Sequence, residues 1–356
     1  MNDPKARRPR RRSRNGFLDI LNGLLTLLVL GLLVAGGAFL YGASQFYGDG
    51  PLTEGLGSVA TRLEEQGLIA NRYVFQLGGR ALERAAALKA GDFRIPAGAS
   101  MEDILIELTE GNPIRYAVVI PEGWSSYEVL QRVNANENLV GEVAGLPAEG
   151  SVLPGSYDYV PGDTRQSVID RMQAAMTTAL ADVWATRQPD LPIETPEELL
   201  VLASIVERET GVASERPQVA AVFVNRLREG MRLQSDPTII YGITQGQAPL
   251  GRGLRRSEIE QVTDYNTYQI DGLPPTPIAN PGIEALQAVA NPDSHDYLYF
   301  VAKGALPSEG HVFAETYAEH RQNVAQYRRI EDEAAAAREA LEDSEAGAEA
   351  DAPAAQ

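Results

Sequence analysis

The longest apolar run in the chain, Gly23 to Tyr41, holds nineteen residues and no charge. At helical rise it spans roughly 28 Å, about the thickness of a bilayer's hydrocarbon core. Beyond it the hydrophobic positions break into short periodic segments separated by turns. SVATRLEEQGLI puts Val59, Leu63 and Ile69 on or near one helical face, with Gly67 near its end. YVFQL, Tyr73 to Leu77, has the composition of a strand, and RALERAAALKAG reads as a helix closed by Gly91.

A repeat follows. FRIPAGASMEDILIELTEG and VVIPEGWSSYEVLQRVNAN share Ile-Pro-x-Gly-x-Ser ahead of an apolar helix, so that Pro96, Gly98 and Ser100 match Pro121, Gly123 and Ser125. Each unit reads as strand, turn and helix, with the serine supplying an oxygen to otherwise unpaired helix amides. Ser151–Thr164 is turn-rich and carries Tyr157 and Tyr159; a helix is expected from about Ser167 to Gln188.

TPEELLVLASIVERETG carries the strongest helix signal. Thr195 and Glu198 form a T-x-x-E capping pattern, Pro196 takes the first turn, and Gly211 ends the segment. Leu199, Leu202, Ala203 and Val206 share one side, while Leu200, Val201 and Ile205 cover much of the rest. A helix apolar nearly all round is a buried one. Two carboxylates, Glu207 and Glu209, enter its last turn. Apolar surroundings and the negative end of the helix dipole both disfavour a charged carboxylate, and a raised glutamate suits general-acid chemistry. Periodicity alone does not separate Glu207 from Glu209, nor either from a pair of surface glutamates. PQVAAVFVNRLREGM is a further helix ending at Gly230. The polar turn from Gln234 to Thr238 and the loop Asp264–Gly282 are rich in amides, hydroxyls and tyrosines, which suits sugar recognition by hydrogen bonds and ring stacking.

Charge changes the picture. Lys5, Arg7, Arg8, Arg10, Arg11, Arg12 and Arg14 face only Asp3, giving residues 1–15 a local +6. This basic flank marks the apolar run as a membrane-spanning signal anchor with its N-terminus in the cytoplasm. The total is −18, so with the arm at +6 and Asp19 at −1 the residues beyond the run carry −23. That balance argues against a nucleic-acid groove. The absence of cysteine removes disulfides, thiolate metal sites and thiol nucleophiles. His295, His311 and His320 have no metal-ligand spacing, and neither a G-x-S-x-G elbow nor a P-loop is present. No metal and no cofactor is expected.

LASIVERETGVASERPQVAAVFVNRLREGMRLQSDPTIIYGI, YNTYQIDGLPPTPIANPG, YLYFVAKG and HVFAETYAEHRQNV together resemble the YceG-like family of endolytic murein transglycosylases, over roughly residues 17–327. Two motifs depart from the family pattern: Gly155 and Ser156 stand where Asp-Thr is common, and Thr276 replaces a glycine. With the arm and the tail read from charge and composition, the resemblance implies an α+β chain in six parts. These are a basic cytoplasmic arm (1–15), a single transmembrane helix (16–41), a linker (42–54), a small LysM-like α/β region holding glycan (55–116), a mixed α+β catalytic domain (117–329) and an acidic tail (330–356) that is at most a frayed helix. It implies cleavage of the MurNAc–GlcNAc bond of nascent peptidoglycan without water, with Glu207 as general acid/base. Gln234, Ser235, Asp236, Tyr241, Asn266 and Tyr268 are then the candidate sugar-binding residues. Glycan strands, the membrane through residues 16–41 and peptidoglycan synthases are the implied partners. A membrane-anchored peptidoglycan-binding scaffold and a water-using muramidase with Asp236 as base are the competing readings.

Overall fold

A computed structural model describes residues 55–350, so the arm, the expected membrane segment and the linker lie outside the described residues. Among the described residues no helix is long and apolar enough to cross a membrane. The chain is of mixed α+β class, with many helices and few strands. The described residues divide into two compact units, one comprising residues 55–89 with Ile95–Gly111, the other Ala90–Arg94 with residues 112–350.

Three helices build the described part of the first unit: α1 (Leu56–Glu65), α2 (Arg72–Ala81) and α3 (Met101–Glu110). No strand occurs among its described residues, which corrects the α/β expectation for this region. The segment Tyr73–Leu77 is helical because the Asn71 side chain accepts from the Tyr73 and Val74 amides and caps the first turn. Its buried residues, Phe75 and Gly79, are four apart, a helical rather than a strand spacing. The helix expected from Arg80 onward is also absent. The chain leaves α2 after Ala81, turns through Glu83 at φ 55° and makes one 3₁₀ turn at Ala85–Ala87. Arg84 is drawn instead to Thr109 at the end of α3, at 3.1 Å.

The second unit opens with β1 (Tyr116–Ile120), α4 (Ser126–Asn134) and β2 (Gly155–Tyr159), then α5 (Arg165–Ala185). β1 and β2 pair antiparallel, Tyr116 opposite Tyr159 and Ile120 opposite Gly155, so the turn-rich stretch around Tyr157 contains a strand. Both repeated serines act as expected. Ser100 and Ser125 cap α3 and α4, each in a reciprocal box with the acid three residues on, Asp103 and Glu128. A strand precedes the helix only in the second copy. One core, built on Val118, Ile120, Val129, Val152, Ile169 and Met172, lies between this sheet, α4 and α5.

The larger core joins α5 to α6 (Pro196–Glu209), α7 (Arg216–Arg228) and α10 (Ile283–Ala290). α6 is buried from Val201 through Val206, as its all-round apolarity requires. Thr195 caps it by accepting from the Glu198 amide, while the Glu198 carboxylate reaches back one residue further, to the Glu194 amide. Between α7 and α10 lie α8 (Asp236–Thr244) and the short α9 (Arg256–Glu260). The polar turn at Gln234 therefore runs directly into a helix, with Gln234 itself at φ 52°. The hairpin β3 (Tyr299–Ala302) and β4 (His311–Ala314) precedes α11 (Tyr317–Ala350), so the segment expected as acidic spacer continues the last helix.

Candidate active site

Glu207 sits in the last turn of α6, where the buried face of the helix meets two loops. Its side chain is only 5% exposed. Oε1 accepts from Arg216 Nη2 at 3.1 Å, and Oε2 accepts from the Gly282 amide at 3.0 Å. Arg216, the first residue of α7, extends the same Nη2 to Glu122 at 2.9 Å. One guanidinium nitrogen thus bridges two carboxylates. Burial raises Glu122 above the ordinary carboxylate range; the Glu207 charge and a hydrogen bond with Glu284 add to the rise, and Arg216 opposes it.

The loops that enclose Glu207 are tied by Asn280. Fully buried, it accepts from the Val152 amide at 3.0 Å and donates to Trp124 O, Ser126 Oγ and Glu149 Oε1. Gly123 donates its amide to Asn280 O at 2.9 Å. A Cβ on Gly123 would stand 3.6 Å from both Glu207 Cγ and Arg208 Cδ, and its φ of +75° suits glycine. Ser204, buried within α6, accepts from the Ile278 amide at 3.0 Å and fixes the other loop to the helix that bears Glu207. Gly123 and Arg208 line a groove of about 180 Å³, together with Ser125, Pro237, Tyr241 and Ile278.

The six candidate sugar-binding residues do not gather in one place. Tyr241 lines the groove beside Gly123, its ring edge-on to Tyr265 at 5.1 Å. Burial and the neighbouring Glu149 hold its hydroxyl above the usual tyrosine value. Asp236 accepts from the Tyr268 hydroxyl at 2.7 Å, and Gln234 accepts from Arg226 at 3.4 Å. Ser235, Asp236 and Tyr268 lie close to Glu209. Burial pushes Glu209 up to about 7; Ser235 and Arg226 oppose the rise and Asp236 adds to it. Ser235 is 1% exposed, and Asn266 is fully buried. The Asn266 amide donates to Glu258 O, Ile259 O and Gln261 O, and its oxygen accepts from the Tyr268 amide. Asn266 holds its own loop together and presents nothing to a ligand.

The histidines have local partners. His311 Nδ1 is 2.8 Å from Glu215, His295 Nε2 is 3.2 Å from Gln218 O, and His320 stacks on Tyr299. Among the described residues no group of three or more His, Asp or Glu side chains is placed to hold a metal ion. Thr276, in place of glycine, does not have a positive φ, and its hydroxyl is 2.7 Å from the Tyr265 hydroxyl.

Glu122, Arg216, Asn280 and Gly282 were not distinguished by sequence reasoning. The one available signal for Glu122 was its place in the repeated Pro-x-Gly joint, where the first copy has Ala97.

A buried carboxylate at a helix end, gripped by an arginine and a loop amide beside a groove, has the features of a catalytic carboxyl site. The profile of the YceG-like family matches residues 51–326, and the chain belongs to that family. The endolytic murein transglycosylases of Streptococcus pneumoniae strains D39 and R6 are each 30% identical over 363 residues, covering 85% of this chain. The chain spans 64% of the length of those two relatives. The endolytic murein transglycosylase of Bacillus subtilis strain 168 is 26% identical over 339 residues, covering 83% of this chain and 91% of that protein. A crystal structure of a YceG-like protein of Listeria monocytogenes matches with a TM-score of 0.48 and 25% identity, over 76% of this chain and 95% of that one.

Proposed function

We propose that this protein is a membrane-anchored endolytic peptidoglycan transglycosylase in which Glu207 is the general acid and base. The observation that carries the reading is the setting of Glu207, shielded and held at both oxygens, within the IVERET stretch on which the family resemblance centres. The names of the relatives in Streptococcus and Bacillus support the same substrate class.

In this reading Glu207 gives its proton to the glycosidic oxygen between MurNAc and GlcNAc as the C1–O bond breaks. It then takes the proton of the MurNAc 6-hydroxyl as that oxygen bonds to C1, leaving a 1,6-anhydro end. Glycosidases that use water need a second carboxyl group to activate it or to attack C1. Here the nucleophile belongs to the substrate, and one carboxyl group serves both steps. Tyr241 offers an aromatic face in the groove beside Glu207. The glycan-holding role of residues 55–116 rests on the resemblance and on the Pro-x-Gly-x-Ser joint this region shares with the site. Residues 16–41 anchor the chain with its N-terminus in the cytoplasm and the catalytic part on the extracytoplasmic side, alongside peptidoglycan synthases.

The test is mass analysis of products from nascent, uncrosslinked glycan. Wild type is expected to release ends lighter by one water, and Glu207→Gln to lose them by about 10²–10⁴-fold. Reducing ends from the wild type would mean hydrolysis. Binding without any cleavage would mean a scaffold. A second reading is favoured by one observation, the rise of Glu209 to about 7, which suits a general acid. Loss of turnover in Glu209→Gln with retention in Glu207→Gln would transfer the role to Glu209.

A further inference from the structure

Among the described residues α2 has two apolar sides, and packing uses one of them. Phe75 and Gly79 are buried, and a Cβ on Gly79 would meet Leu56 of α1 and Leu105 of α3. On the other side Tyr73, Leu77, Ala81 and Val74 share an arc of about 100°. Tyr73, Val74 and Leu77 are 65%, 58% and 70% exposed, and Leu82, just past the helix, is 50% exposed. Large apolar side chains gathered on one exposed face mark a surface that meets a partner.

The surroundings narrow the choice of partner. A sugar needs hydrogen bonds, and Val74, Leu77 and Ala81 have no polar side-chain atom to offer. The Tyr73 hydroxyl already accepts from Arg72 Nη2 at 3.0 Å, and the same guanidinium lies 4.9 Å from the centre of the Tyr73 ring. Tyrosine and arginine at the edge of an apolar stripe are the composition of a membrane interface. Charge agrees. Asn71 to Lys89 holds Arg72, Arg80, Arg84 and Lys89 against Glu83 alone, a local +3 where the residues beyond the apolar run sum to −23. Glu64 and Glu110, which pair with Arg72 and Arg84, reduce this excess without removing it. Chain length supplies proximity. If residues 16–41 cross the membrane, the thirteen residues 42–54 lead from it to this unit and span at most about 45 Å. A tether that short holds the face at millimolar effective concentration near lipid, so that even a weak contact is populated.

We propose that the exposed side of α2 lies in the surface of the bilayer, against anionic phospholipid headgroups. This rests on the reading of residues 16–41 as the anchor. Tyr73, Val74 and Leu77 enter the boundary between headgroups and acyl chains to a depth of roughly 5–10 Å, with Arg72 and Arg80 at headgroup level. At ten residues α2 is about 15 Å long, so it runs along the surface and does not span it. The contact orients the first unit on the membrane and adds to the anchor.

The experiment uses the full-length chain in vesicles of equal parts phosphatidylglycerol and phosphatidylcholine. The chain has no cysteine, so single introduced cysteines carry an environment-sensitive fluorophore. Lipids bearing a nitroxide near the glycerol end of an acyl chain quench labels at the interface. A label on Ala81→Cys, on the exposed side of α2, is expected to lose about half of its emission to this lipid. A label on Glu102→Cys, exposed on α3 at the packed side of α2, should keep its emission. Adding Leu77→Glu, at a position that contributes little to the core, should restore the emission of the Ala81 label. Without phosphatidylglycerol the loss should shrink by about half. An unquenched Ala81 label, equal quenching at Ala81 and Glu102, or indifference to Leu77→Glu overturns the proposal. A loss that phosphatidylglycerol does not affect overturns the assignment of an anionic surface. A label on Leu32→Cys, with the nitroxide placed at the bilayer centre, reports on the anchor. Its quenching beside an unquenched Ala81 label sinks the α2 contact alone, whereas an unquenched Leu32 label sinks the anchor and the contact with it.

Discussion

Glu207 and Glu209 are two residues apart, yet they meet different chemistry. A helix turns roughly 200° over two residues, so the two side chains leave α6 on nearly opposite sides. Glu207 meets an arginine and an amide, whereas Glu209 meets buried polar groups and the Asp236 charge. The consequence for Glu209 is a stability effect with a definite sign. Its folded value of about 7 lies above the ordinary 4.5, so between these values the folded protein binds the extra proton. The stability this contributes is complete below pH 4.5 and is lost as the pH climbs through 7. Glu209→Gln, neutral throughout, should therefore gain on the wild type at pH 8 relative to pH 4, by up to about 3 kcal/mol. Urea midpoints at the two pH values check this, and an equal difference at both would count against it.

At the level of elements, the site is a junction of one rigid helix with loops that have little regular structure of their own. α6 supplies the rigid part, because its buried run from Val201 to Val206 fills the larger core. The loops are held by side chains. Asn280 joins the loop after β1, the loop before β2 and the loop before α10 in a single set of bonds. Replacing it with alanine orphans the buried Val152 amide and frees Trp124 from one donor. The expected cost is about 2–4 kcal/mol of stability, read from chemical unfolding. Activity should fall more than folding at ambient temperature accounts for, since Gly123 and Gly282 both belong to the loops that Asn280 ties. Gly246 makes a similar joint at the far end of α8. Its carbonyl accepts from Ser125 at 2.6 Å, and a Cβ there would lie 2.5 Å from Ser125 Cβ.

For the whole molecule, the formal charge of −18 is a sum over unlike segments, with +6 confined to the first fifteen residues. A basic arm ahead of an uncharged run is the pattern expected of the single-pass anchor proposed above. The full-length chain is expected to stay with the membrane fraction in high salt and alkaline wash, and a variant lacking residues 16–41 to be released. Retention of that variant on membranes free of glycan would count against the anchor. The described helices neither help nor oppose this, because none of them is apolar enough to span a bilayer.

Features written in consecutive residues were legible before any coordinates: the caps at Ser100, Ser125 and Thr195, the buried character of α6, and the presence of two glutamates in its last turn. Capping and amphipathic burial act over one or two helical turns, so a short window holds the whole signal. The strand expected at Tyr73–Leu77 failed at the margin of that rule, where β-like composition lost to the local cap at Asn71. The convergence of Glu122, Arg216 and Gly282 on Glu207 has no such window, since 75 residues of sequence separate Glu207 from Gly282 and 85 separate it from Glu122. Packing of α6, α7 and α10 with the loop after β1 brings them together, and it also places three of the six sugar-binding candidates, Ser235, Asp236 and Tyr268, near Glu209. A hydrogen bond is made over about 3 Å whatever the separation along the chain. The partners of Glu207 were therefore chosen by the fold.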